Sequence, residues 1–240
     1  MSSNVEGFKY EKRVIEALAA AGVAGQIREG AGASSSSADA DFVVNGERHL
    51  VEVKKDSFAQ MGGTSVKYVN GEFVPVHSST MDSDTVELVV RELQTKKEHV
   101  DRLISFLEKD SLPVSCEKDA WDTAKTAGLL RPINTKVRKD TSFLVEHYKS
   151  KGVDYIQIGN AGLFYLDKNP AELPVPRLQG EVDIELRAGR SGSRKNSQGV
   201  SYVGGSLRAQ GRLKFRGTSP FTLDSEDSIR KMMEAINGKK

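Results

Sequence analysis

Residues 38–55 read ADADFVVNGERHLVEVKK, and this run decides the fold. Asn45-Gly46 is a strong hairpin signal, because both central positions of a type I′ turn need positive φ. The alternating apolar residues on either side predict two antiparallel strands, Asp39 to Val44 and His49 to Lys55. Side chains alternate across a strand, so Asp39, Asp41 and Val43 share a face, as do Leu50, Glu52 and Lys54. A two-residue loop (Asn45-Gly46) sets Asp39 opposite Glu52, whereas a four-residue loop (Asn45 to Arg48) sets Asp41 there. Either register gathers the acids and Lys54 on one side of the sheet. Two carboxylates on adjacent strands form the hard-oxygen set that Mg²⁺ takes, with waters and substrate phosphate completing its shell. A lysine beside them suits an attacking water or the charge that develops on phosphorus.

Outward from this hairpin, the residues before it predict a helix from about Val5 to Ala21, stopped by Gly22. Its apolar stripe reads Phe8, Ile15 and Leu18, and Glu11 falls on that same stripe. A carboxylate on a buried helix face is costly unless a cation meets it. The GAGASSSS run at 30–37 is a flexible loop without the strand or the GK[ST] of a phosphate cradle. After the hairpin, Asn70-Gly71 predicts a second, smaller one within Tyr68 to Val76. A long helix is expected over Ser83 to Lys109, and short helices over Lys118 to Ala127 and Ser142 to Lys149. Asp154 to Ile158 and Leu163 to Leu166 read as core strands. A last helix, Ser225 to Ile236, is capped by Asp224 or Ser225 and ends at Gly238. The order implies an α/β sandwich around a mixed sheet.

Composition narrows the function. The 240 residues are 38% hydrophobic and 28% charged, enough apolar matter for a real core. There is no run of about 18 apolar residues to cross a membrane, and the polar start MSSNVEGFKYEKR does not read as a signal peptide. One cysteine, Cys116, forbids an internal disulfide and points to a reducing cytoplasm. With four histidines scattered along the chain, it does not form a zinc motif either. The formal charge is only +2, yet residues 177–217 hold nine Lys/Arg against three acids, which leaves residues 1–176 at −4. A Gly-rich basic segment beside an acidic body suggests an anionic partner, DNA before membrane. Arg187, Arg190, Arg194 and Lys195 are its candidate DNA contacts.

The runs GFKYEKRVIEALAAAG (7–22), ADADFVV (38–44) and HLVEVKK (49–55) together resemble the core of the PD-(D/E)xK nuclease superfamily. Their layout is similar to its archaeal Holliday-junction resolvase and restriction-enzyme branches. The resemblance covers about residues 7–61. It implies a restriction-endonuclease-like fold, a mixed β-sheet flanked by helices, as one nuclease domain over 1–240. A helical insertion at about 80–150 and a C-terminal basic β-hairpin would be added to it. It also implies roles: Glu11 from the early helix, Asp41 from the strand start, Glu52 and Lys54 from the (D/E)xK strand, and Gln60 shortly after. Ala40 stands where the family has proline, which keeps Asp39 in play as the first acid and metal ligand. The implied activity is Mg²⁺-dependent hydrolysis of DNA, with Mn²⁺ able to substitute. The expected setting is a homodimer in the cytoplasm of a bacterial, archaeal or phage-infected cell. A junction-selective nuclease and a non-cleaving DNA-binding module are the alternatives.

Overall fold

Strands β1 (Ala40–Val44) and β2 (Glu47–Lys54) pair antiparallel across the two-residue turn, with Asn45 at φ 53° and Gly46 at φ 83°. The computed structural model describes residues 3–26, 38–69, 72–75, 91–95, 115–127 and 135–238. It is a mixed α/β chain that forms two compact units. The first comprises Met1–Ala59, Lys139–Val182 and Leu213–Lys240; the second comprises Gln60–Arg138 and Asp183–Arg212.

In the first unit the sheet order is β1-β2-β7-β8, with β7 at Tyr155–Ile158 and β8 at Gly162–Tyr165. β2 and β7 run parallel, while the other pairs are antiparallel. Residues 23–25 add a short edge to β1, through an Ala24–Phe42 bridge and Val43 N–H donating to Val23 C=O at 2.8 Å.

Helix α1 (Ser3–Ala20) and helix α4 (Glu226–Asn237) cover one face of this sheet. Their core contains Tyr10, Val14, Leu18, Phe42, Val51, Val53, Tyr155, Leu163, Met232 and Ile236. The inner stripe of α1 is therefore Tyr10, Val14 and Leu18, with Ile15 half-buried, and not the expected Phe8, Ile15 and Leu18. Phe8 is 54% exposed. Burying Tyr10 is affordable because its hydroxyl accepts from Gln157 Nε2 at 2.9 Å inside the core.

Helix α1 ends in a Schellman motif: Gly22 (φ 73°) donates to Ala19 C=O and Val23 to Leu18 C=O. Helix α4 takes Ser225 as N-cap, its hydroxyl accepting from Ser228 N–H. Both ends match the sequence reading to within about two residues.

The helix between β6 (Thr135–Lys139) and β7 is α3 (Thr141–Ser150). Asp140 caps its start, accepting from the Ser142 and Phe143 amides, and Gly152 (φ 74°) closes its end. It buries Leu144, His147 and Tyr148. Ile156 and Ile158 are also buried and alternate away from the Tyr155 and Gln157 face, on the side that carries Lys54.

In the second unit the order β4-β3-β10-β9-β6 makes a sheet in which β3 is Gln60–Val69, β4 Glu72–Pro75, β9 Gln179–Lys195 and β10 Ser201–Arg216. β9 and β10 contribute residues to both units. Val69 pairs with Glu72, and the Asn70-Gly71 turn itself lies outside the described residues. β5 (Ser115–Glu117) pairs with β10 and leads into helix α2 (Lys118–Thr126), where Trp121 is buried.

The helix expected over 83–109 lies outside the described residues apart from a helical stretch at 91–94. The region read as a helical insertion also contains a strand, β6, whose TKVRK sequence has a single inward apolar residue, Val137. Among the described residues, no helix is long and apolar enough to cross a membrane.

Candidate functional site

The two-residue turn sets the register of β1 against β2. Ala40 pairs with Val51 and Asp41 with Leu50, and Asp39 sits one residue before β1, where the ladder ends. Asp39 N–H donates to Val51 C=O at 3.1 Å, and the Asp39 carboxylate accepts from Val53 N–H at 2.8 Å. This carboxylate grips the very strand that carries Glu52 and Lys54. Asp41, named first from the sequence, is placed differently. Its fully buried carboxylate accepts from Gln26 N–H at 2.8 Å and pairs with Arg48. Gly25 packs so close that a Cβ there would overlap the Asp41 carboxyl group.

Glu52 and Lys54 form an ion pair on one face of β2, with their side chains 6% and 15% exposed. Lys54 Nζ also lies 5.9 Å from the centre of the Tyr148 ring, on α3. Burial works against this ammonium, but Glu52, Tyr148 and Asp39 outweigh it and hold the Lys54 pKa well above the usual lysine value. It stays charged.

Asp39 has the opposite problem. Burial first, then the Glu52 carboxylate, pushes its pKa well above the ordinary aspartate value, against the pull of Lys54 and the Val53 amide. Glu11 is half-buried on α1, and burial raises its pKa too; Lys54 lowers it and Glu52 raises it further. Three carboxylates thus feel one another and a single ammonium. Such an assembly holds excess negative potential in a region of reduced dielectric.

Among the described residues, no group of three or more His, Cys, Asp or Glu side chains is arranged to hold a metal ion. The Asp39–Glu52 pair is the smaller set, two carboxylates, that suffices for Mg²⁺ when waters and phosphate oxygens supply the rest. Its donor chemistry, hard oxygen with one side already neutralised by lysine, fits that cation.

Gln60 is exposed, opens β3 and pairs with Arg212; it belongs to the second unit. Of the basic residues singled out on the sequence, Arg187 forms an ion pair with Glu185 at 2.5 Å. Arg194 and Lys195 are exposed at the end of β9, before the Asn196–Val200 turn. The Arg190 side chain lies outside the described residues.

Sequence reasoning missed Tyr148 as the neighbour of Lys54. Its only signal was membership of the apolar side of a short amphipathic helix, which does not say what the helix packs against. It also missed Arg48, whose position in an exposed hairpin arm gives no hint of a buried partner. Comparison of the chain with family models, with curated proteins and with solved structures finds no match.

Proposed function

We propose that this chain is a Mg²⁺-dependent endonuclease that hydrolyses phosphodiester bonds in DNA, with Asp39, Glu52, Lys54 and Glu11 as its working residues. The observation that carries the reading is the Asp39 carboxylate, bonded to the Val53 amide and acted on by Glu52 and Lys54, beside the Glu52–Lys54 ion pair, in a sequence with the D…ExK pattern. Asp39 takes the place that the sequence left open between Asp39 and Asp41.

Asp39 and Glu52 would hold the cation, which when bound polarises a phosphoryl oxygen and acidifies a water. Lys54, kept protonated by Glu52 and packed against Tyr148, offers donors to the oxygens on which charge accumulates. Its ammonium is oriented in advance by that ion pair, so little reorganisation is needed when charge develops. Glu11, with its pKa raised by burial, is a better proton acceptor than an exposed glutamate. Arg48 and Gln26 N–H keep Asp41 occupied, so that it supports the β1 edge.

The test is incubation of the purified protein with supercoiled plasmid and Mg²⁺ or Mn²⁺, beside Lys54→Ala. Metal-dependent nicking that disappears in the variant supports the reading. Plasmid left intact with either metal sinks it.

A further inference from the structure

The second unit carries a charged face that the carboxylate cluster does not explain. Along β9, Val182, Ile184 and Leu186 are buried on one side, while Asp183 and Glu185 alternate to the other and are also buried, at 1% and 4% exposure. A carboxylate on a sheet face is costly to bury without partners. Here β6 and β10, on either side of β9, supply them.

Lys136 Nζ lies 3.1 Å from Asp183 and 3.3 Å from Glu185, and Arg138 Nε donates to Asp183 at 2.9 Å. Arg187, Arg212 (3.4 Å) and Gln210 Nε2 (3.2 Å) converge on Glu185. Arg208 is exposed two residues before Gln210, on the same side of β10 by alternation.

The stoichiometry is what points outward. Two carboxylates need two cations to be neutral, yet Lys136, Arg138, Arg187 and Arg212 surround them and Arg208 shares their side. The four paired side chains remain 41–57% exposed, so the cations that hold the acids are also open to solvent. A guanidinium has five donors, more than a single carboxylate takes, so one head can serve two oxyanions. The buried acids hold these forks in place, which lowers the ordering cost of a later contact.

Same-side residues recur about every 6.6 Å along a strand, and neighbouring strands lie about 4.8 Å apart. Cations on three adjacent strands therefore span roughly 10 Å by 13 Å, wider than one phosphate and suited to a chain of them.

We infer that this face of β6, β9 and β10 binds the phosphodiester backbone of a nucleic acid, through Lys136, Arg138, Arg208 and Arg212 together with Arg187. The choice of DNA as the probe rests on the proposed nuclease reading; the cationic face does not. It differs from the sequence-based expectation in that the loop residues Arg194 and Lys195 are not its centre.

The experiment measures binding apart from cleavage. Full-length protein in EDTA is titrated into fluorescein-labelled 20-mer duplex or single-stranded DNA, and Kd is followed from low to moderate KCl. The variant is Lys136→Gln/Arg138→Gln/Arg212→Gln, with Arg138→Lys as a charge-conserving control and circular dichroism to check folding. Three lost phosphate contacts should lower the slope of log K against log salt by about 2 to 3 and weaken binding at least about tenfold. Arg138→Lys should retain the wild-type slope. If the triple variant does not fold, Arg208→Gln serves in its place, and it should lower the slope by about 1.

Failure of the wild type to bind either DNA, or an unchanged Kd and slope in a folded variant, overturns the inference. The two proposals fail separately. DNA binding without metal-dependent cleavage retires the nuclease and leaves this face standing. Undiminished cleavage and binding in the triple variant does the reverse.

Discussion

Gly159 follows β7 directly, and its N–H donates to Lys54 C=O at 2.8 Å, joining the β7 end to the β2 residue at the centre of the site. A Cβ built on Gly159 would overlap the Lys55 carbonyl oxygen and approach Lys55 C and Tyr10 Cζ to 3.0 Å. The backbone at 159 is not in the left-handed region, so the cost of Gly159→Ala is steric alone. The nearest obstructing atom is a backbone carbonyl one residue past the end of β2, which yields less readily than the tip of a long side chain. Overpacking of this kind costs about 1–3 kcal/mol. Weakening the Gly159–Lys54 hydrogen bond adds about 1 kcal/mol. The expected loss is therefore about 2–4 kcal/mol, read in urea titrations as a lower midpoint with an unchanged slope. Because the strain pushes on the strand that positions Lys54, plasmid nicking should fall at least about tenfold at temperatures where the variant is fully folded; a misplacement of 1 Å can cost about a hundredfold. A variant with the wild-type midpoint would refute the reasoning, since it would mean that the end of β2 moves freely. Normal stability and normal nicking together would also remove the link between this junction and the site.

Further outcomes follow from the same geometry. Asp39→Asn should abolish Mn²⁺ binding followed by paramagnetic broadening and reduce nicking at least about a hundredfold, whereas Asp41→Asn should leave metal binding and act on stability through Arg48 and Gln26; the reverse pattern would restore Asp41 as the ligand. Lys54→Ala should lower cleavage at least about a hundredfold at saturating DNA with little change in Kd, because its interaction develops with the transition state; equal losses in binding and rate would count against that role. The raised Asp39 pKa also makes a signed statement about stability. A carboxyl whose folded pKa exceeds its unfolded value binds its proton more tightly when folded, so its contribution is present below the unfolded pKa and lost as pH rises through the folded one. In the absence of metal, the Tm of Asp39→Asn minus that of the wild type should therefore grow from acid towards neutral pH, and a flat difference across that range would contradict the assignment.

Much of the site was legible in eighteen consecutive residues because the signals there are local. Asn45-Gly46 sets a turn through its own φ preferences, and alternation then places acids and lysine on one face without knowledge of the remaining chain. The caps at Gly22 and Ser225 were readable for the same reason: each satisfies backbone groups within a few residues of itself. Strand β6 was not. Lys136 and Arg138 look solvated in a sequence, and only pairing with β9 turns TKVRK into a sheet element with a charged side.

The amino-acid sequence by itself determined the α/β class, the hairpin, and the gathering of Asp39, Asp41, Glu52 and Lys54 on one strand pair, since turn chemistry and side-chain period act over short distances. Tertiary structure decided the rest. It set the Asp39 carboxylate against the Val53 amide and the Asp41 carboxylate against Arg48 and Gly25, partners that the hairpin sequence does not name. It buried Tyr10 in place of Phe8, because Gln157, 147 residues away, satisfies the phenol. It also set Tyr148 against Lys54 and stacked cations over Asp183 and Glu185. The Lys54–Tyr148 and Arg138–Asp183 pairings join residues 45 or more positions apart, and their free energies arise from burial and charge neutralisation that exist only once the elements have met.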